Sequence, residues 1–190
     1  MRTLSLWMQV SLDGFTEGPN GEFDWPIVDQ QLHRYFIDEL RPMNAFLYGR
    51  KVYELMASFW PTADSNPASN QAQVEYAQLW KPMPKVVFST TLQEAEWNTR
   101  VVRDNIVEEL SALKAEPGHG LVLFGGADIA ATLMRLDLID EFRLFVHPVV
   151  LGGGTPLFPA AERRVKLQLA QARTFDSAVV HLHYRRDATR

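Results

Sequence analysis

The stretch LVLFGGADIAATLMRLDLIDEFRLFVHPVVLGGGTPLF, Leu121–Phe158, contains the pattern that decides the fold. A short apolar run, LVLF, meets Gly125-Gly126, and a helix-like pattern follows at once from Asp128 to Leu136. A second apolar run, IDEFRLFVHPVVLG, ends at Gly152-Gly153-Gly154. Strand, glycine turn, helix and strand in that order is the signature of a crossover unit, in which parallel neighbours are joined across one face of a sheet.

The same grammar runs outward in both directions. Thr3–Leu12 is rich in β-forming residues and reads as a buried strand that stops at Asp13-Gly14. Ile27–Leu40 has helical spacing, with Ile27, Leu32, Tyr35, Phe36 and Leu40 near one face. NAFLYG predicts a strand running into Gly49, and RKVYELMASF a helix closed by Pro61. Gln71–Trp80 predicts a helix, Lys85–Thr90 and WNTRVVR predict strands, and Ile106–Lys114 a helix opened by Asp104 or Asn105. RRVKLQLAQARTF and SAVVHLHYRR alternate as strands around a tight turn at Asp176-Ser177, which gives a C-terminal hairpin. The reading is an α/β protein, one domain over residues 1–190, with antiparallel strands added to one edge of the sheet.

Composition narrows the function classes. The chain has 190 residues, net charge −4 and no cysteine, which removes disulfides, thiol catalysis and cysteine–metal sites. Its acidic balance offers no general attraction to nucleic acid or to an anionic membrane. The N-terminus has too short an apolar run for a leader, and no stretch reaches the ~20 apolar residues of a span, so the expectation is a cytoplasmic protein. His181 and His183 share a strand face and His147 could join them, but a metal site is not expected, because packed histidines explain the pattern.

Three strand ends carry the candidate chemistry. They are Gly49-Arg50-Lys51, Ser89-Thr90-Thr91, and Gly125-Gly126-Ala127-Asp128. Ligands of open α/β sheets sit at the carboxyl ends of strands. There, glycine admits a phosphate to backbone N–H groups, and the following helix adds free donors and partial positive charge. Arg50 and Lys51 add full charges, and Ser89 and Thr90 add hydroxyls. The set suits a molecule with several phosphates, such as a dinucleotide, although Gly-x-Gly-x-x-Gly and the P-loop pattern are both absent.

SLDGF, LYGRKVYE, VVFSTT, LFGGADI and LIDEFRLFVHPVVLGGGTPLF together resemble the dihydrofolate-reductase-like superfamily, in the branch of the reductase domain of the riboflavin-biosynthesis deaminase–reductase. The resemblance covers about Leu4 to Tyr184. It implies a three-layer α/β/α fold with a mixed, mostly parallel sheet, NADPH as cofactor, a small-molecule substrate and a homodimer. It places Gly49, Arg50, Lys51, Ser89 and Thr90 around the cofactor phosphates. Gly125, Gly126, Ala127, Asp128 and Ile129 fall beside the pyrophosphate and nicotinamide, and Gln9 beside the carboxamide. It also implies a cis peptide at Gly125–Gly126. Asp29 takes the place of the carboxylate that grips the pterin in dihydrofolate reductases, and Trp25, Tyr53 and Phe158 are expected at the substrate. Where riboflavin-pathway reductases carry a glutamate before the Gly-Gly pair, this chain has Phe124. The implied activity is reduction of a small heterocyclic or carbonyl-type substrate, similar to that of 5-amino-6-(5-phosphoribosylamino)uracil reductase. Dihydrofolate reductase activity and a non-catalytic nucleotide- or folate-binding role are the alternatives.

Overall fold

A computed structural model describes residues 1–159 and 164–187, so the first residue of the expected RRVKLQLAQARTF strand and the last three of the basic tail lie outside the described residues. In chain order the strands are β1 Thr3–Ser11, β2 Phe15–Glu17, β3 Ala45–Gly49, β4 Lys85–Phe88, β5 Thr99–Val102, β6 Gly120–Leu123, β7 Glu141–His147, β8 Thr155–Pro156, β9 Leu167–Thr174 and β10 Val180–Arg186. The helices are α1 Gln30–Leu40, α2 Arg50–Ala63, α3 Gln71–Trp80, α4 Ile106–Ala115 and α5 Ala127–Arg135.

Eight strands form one sheet in the order β5-β4-β3-β6-β1-β7-β10-β9. Pairing is parallel from β5 through to β7 and antiparallel at β7–β10 and β10–β9. Six strands therefore end at one edge of the sheet, and the C-terminal hairpin closes the far side, as the sequence predicts. β1 lies at the centre, buried along nearly its whole length. Its Leu4, Leu6, Met8 and Val10 face the core formed with α4 and α5, and Trp7 faces the core formed with α1, α2 and α3. The period of two turns a single strand into the floor of both layers, which makes the protein a three-layer α/β/α molecule.

Two helix boundaries differ from the sequence reading. α1 starts at Gln30 rather than Ile27. The Ile27 N–H is drawn to Nδ1 of His147, 3.1 Å away. Asp29 is extended (ψ 174°) and its Oδ1 caps Leu32 N–H at 2.7 Å. α2 continues through Pro61 to Ala63, because a proline near the last turn removes one donor without a steric block to the few residues that remain. Asn105 precedes α4 in the left-handed region (φ 51°) and makes no side-chain cap, a conformation that Asn tolerates better than most residues.

The last glycine of the triplet is a packing requirement. β2 and β8 pair as a short ribbon, and a Cβ on Gly154 (φ +122°) would lie 2.0 Å from the Glu17 carbonyl oxygen. Asp13 holds the same loop by accepting from the N–H groups of Leu151 and Gly152.

Buried polar groups fix the remaining geometry. Lys85 is 2% exposed, and its Nζ donates to the carbonyls of Trp80, Met83 and Trp97 while lying 4.0 Å from the Trp80 ring. Burial pushes its ammonium down to about 7, against the carbonyls at the end of α3, which favour the charged form. Beneath the hairpin, Glu141 accepts from Ser5 Oγ and contacts His183 Nε2, and the His183 contact is the main cause that holds its carboxyl down to about 2. His181 is fully buried, lies against Phe145 with centroids 4.7 Å apart, and meets the Tyr35 hydroxyl at 3.3 Å.

Burial depresses His147 to about 4 and His181 to about 3, so both rings stay neutral in the folded protein down to those values. The unfolded chain takes up these protons near pH 6.5, so between pH 6.5 and 4 it binds more protons than the folded state, and stability falls as the pH falls. For His147 alone the loss reaches about 3 kcal/mol. Urea midpoints measured from pH 7 to pH 4 are expected to drop steadily, and His181→Phe is expected to flatten part of that slope. Midpoints that stay constant across this range would contradict the buried neutral histidines.

Candidate active-site cleft

The carboxyl edge of the sheet opens into a cleft of about 1330 Å³. It runs from the ends of β4 and β5, past those of β3 and β6, to the aromatic face between α1 and α2. β3 and β6 are neighbours, and each hands its chain directly to a helix. Their turns lock together: Gly49 N–H donates to the Gly125 carbonyl at 2.6 Å. A Cβ on Gly49 would approach Gly126 N at 3.3 Å and Ile129 Cγ2 at 3.2 Å. Gly125 has φ +86°, and a Cβ there would meet Met8 Sδ at 2.7 Å. The Gly125–Gly126 peptide is cis, as the resemblance implies.

One half of the cleft is polar. The N-termini of α2 and α5 both open onto it, and neither has a side-chain cap. Arg50 is bound to Glu54 one turn on, an exposed pair that contributes little and leaves the guanidinium available to an anion. Lys51 and Thr90 line the wall and are exposed, with Ala127, Asp128 and Ile129 beside them. Ser89 also lines the wall, but its Oγ accepts from the N–H groups of Thr91 and Leu92 and so shapes its own turn. Arg103 was not singled out in the sequence. It lines the same wall, and its Nη2 donates to the carbonyls of Leu92 and Gln93, which binds the end of β5 to the Ser89 turn. It is the last residue of the predicted strand WNTRVVR, so the strand-end rule that selected Arg50 applies to it equally.

Gln9 faces the cleft at the junction of the two halves. Because His147 Nδ1 accepts from Ile27, the ring's proton sits on Nε2 and is donated to Gln9 Oε1. The Gln9 carboxamide is thereby oriented with its NH₂ end uncommitted.

The other half is aromatic. Trp7, Phe36, Phe124 and Phe145 meet with centroid separations of 4.8 to 6.3 Å. Trp60 packs on Tyr76 at 4.3 Å, and His33 stands edge-on to both. Burial lowers the His33 pKa, partly opposed by Glu75.

Four expected residues lie elsewhere. Asp29 does not line the cleft; its Oδ2 accepts from Ser177 N–H at 2.6 Å, so one carboxylate caps α1 and ties it to the hairpin turn. Trp25 packs on His147 and Phe23 behind the wall. Tyr53 is buried, and its hydroxyl bonds to both backbone groups of Glu96. Phe158 is half-exposed near Phe142. Each was selected by closeness in sequence to a motif, and none of the four side chains lines the cleft.

With this geometry in place, comparison with known proteins is informative. Residues 2–181 match the family model of the RibD C-terminal domain, and the chain belongs to that family. It is 41% identical over 186 residues to the protein YyaP of Bacillus subtilis (strain 168), covering 96% of this chain and 94% of that one. Among solved structures it is similar to a putative riboflavin biosynthesis protein from Shewanella sp. PV-4, with a TM-score of 0.74 and 23% identity over 97% of this chain and 99% of that one. It is also similar to dihydrofolate reductase from Enterococcus faecalis complexed with NADP(H), with a TM-score of 0.64 and 17% identity over 97% and 96% of the two chains. These two likenesses establish the dihydrofolate-reductase-like fold.

Gly125→Ala is expected to destabilise the protein by about 1–3 kcal/mol, from a left-handed backbone and a clash with Met8. Adding Met8→Ala is expected to recover the steric part only, so the double variant's urea midpoint should lie between Gly125→Ala corrected for the cost of Met8→Ala and the wild type. Strict additivity would show that Met8 does not restrict Gly125.

Proposed function

We propose that the protein is an NADPH-dependent oxidoreductase acting on a small heterocyclic or carbonyl-type substrate. The observation that carries this reading is the interlocked Gly49 and Gly125–Gly126 turns, which set two uncapped helix N-termini side by side on one cleft. A pyrophosphate fits such a place, because bare backbone admits it, free N–H groups bind it, and two dipoles favour its charge. Arg50, Lys51 and Arg103 then stand along the polar wall where an additional phosphate would lie, which favours NADPH over NADH. The uncommitted NH₂ of Gln9 suits a nicotinamide carboxamide. When bound, the dihydronicotinamide supplies a hydride to the acceptor, and a solvent proton completes the reduction. The chain's own part is to align the two rings and exclude water, which the aromatic half does by shape. The NADP(H)-bound dihydrofolate reductase of the same fold and the family membership support the reading.

The withdrawal of Asp29 from the cleft tells against dihydrofolate as the substrate. A cytoplasmic location agrees with the finding that no helix among the described residues is long and apolar enough to cross a membrane. The proposal includes a homodimer, for which the outer strand β9 is suited, since all eight of its residues are exposed.

Calorimetric titration is expected to give at least tenfold tighter binding of NADPH than of NADH, and no binding of either nucleotide would defeat the proposal. Sedimentation equilibrium at micromolar concentration is expected to give twice the 21.7 kDa chain mass, and a single-chain mass would remove the dimer.

A further inference from the structure

The charge pattern of the cleft narrows the substrate beyond the reductase reading, on which this inference rests. Among the described residues the carboxylates that line the cleft are Glu17 and Asp128. Glu17 accepts from Thr155 Oγ1 at 2.7 Å in the β2–β8 ribbon, and Asp128 lies in the first turn of α5, on the polar side. The aromatic half thus has no acid at its floor. Asp29, which the resemblance would put there, has both oxygens bound to backbone N–H groups outside the cleft.

The floor is instead closed by rings. Phe124 follows β6 directly, immediately before the Gly125–Gly126 turn, and it is only partly buried. It lies nearly parallel to Tyr48 (5.5 Å, 17°) and edge-on to Phe46 and Trp7. Tyr48 and Phe46 are fully buried and hold it in place. Phe36, also partly exposed, continues the surface, and the buried Trp7 and Phe145 back it from behind. The cations near this surface belong to other pairs: Arg143 lies over the Trp7 ring, 5.1 Å from its centroid, and is bound to Glu39.

A protonated pterin or diaminopyrimidine carries an amidinium, and burying that charge without a carboxylate partner costs several kcal/mol. An uncharged conjugated ring meets no such penalty and gains stacking and edge contacts from the partly exposed Phe124 and Phe36. We infer that the substrate of this cleft is an uncharged, flat, conjugated carbonyl compound of the quinone or enone class, gripped by Phe124 and Phe36 with Trp7 packed behind them, and that cationic diaminopyrimidines are rejected.

The test uses the full chain saturated with NADP⁺, which permits a ternary complex without turnover. It is titrated calorimetrically with a neutral 1,4-naphthoquinone and with a 2,4-diaminopyrimidine at a pH where its ring is protonated. The absence of cysteine removes thiol adducts of the quinone as a complication. The expected result is at least tenfold tighter binding of the naphthoquinone, weakened about tenfold by Phe124→Leu with NADP⁺ affinity unchanged. Equal or tighter binding of the diaminopyrimidine overturns the inference. So does failure of the naphthoquinone to bind a protein that has bound NADP⁺, an outcome that leaves the nucleotide reading standing. Failure of the nucleotide itself to bind is a separate result and defeats both readings. A Phe124→Leu variant that binds the quinone as tightly as the wild type removes Phe124 from the grip.

Discussion

Everything at the open edge of this sheet depends on one short hydrogen bond, from Gly49 N–H to the Gly125 carbonyl. β3 and β6 are parallel neighbours, so both reach the edge at the same level and both must turn at once. Two ordinary turns would collide there. With no Cβ on either strand's last turn, the backbones pass close enough to bond, and α2 and α5 leave side by side with their N-terminal amides unfilled. The packing solution and the candidate anion site are the same object. Met8 on the central strand closes it from below, so the site inherits the rigidity of the sheet's middle rather than of a loop.

The aromatic half is built on a different principle. Its rings come from β1, β7, the residue after β6, and α1, α2 and α3, elements distant in sequence that the fold makes adjacent. Buried neutral histidines set its outer frame by hydrogen bonding rather than by charge. His147 is the clearest case, since a single ring fixes both the chain entering α1 and the carboxamide of Gln9.

The fold was legible because strands ending in glycine and helices beginning after it are local signals. Gln71–Trp80 and the hairpin turn at Asp176-Ser177 were readable for the same reason. The polar half of the cleft was legible too, since its residues sit at strand ends. The aromatic half was not. Tyr53 lies one helical turn from Arg50, yet its hydroxyl is committed to Glu96, while Trp60 and Tyr76 come together only when α2 packs on α3. Asp29 reads as a first-helix acid in sequence, and only the position of Ser177, 148 residues away, shows that it is a tether. Lys85 reads as a polar strand start, and only the fold shows that the carbonyls of Trp80 and Met83 just before it and of Trp97 beyond it converge on its ammonium.

The outer strand β9 has a consequence of its own. A long, bare strand edge can extend into a neighbouring molecule's sheet and seed open-ended stacking. Here Leu167 and Leu169 are followed by Gln171 and Arg173, and a register shift against β10 falls between His183 and Tyr184. The bulge bends the edge away from the straight ladder that continuous stacking requires, and the Arg173 guanidinium, held over the Tyr35 and Phe175 rings, puts a charge beside it. The margin thus combines exposed side chains with a bulge and a charge that oppose growth into a fibre.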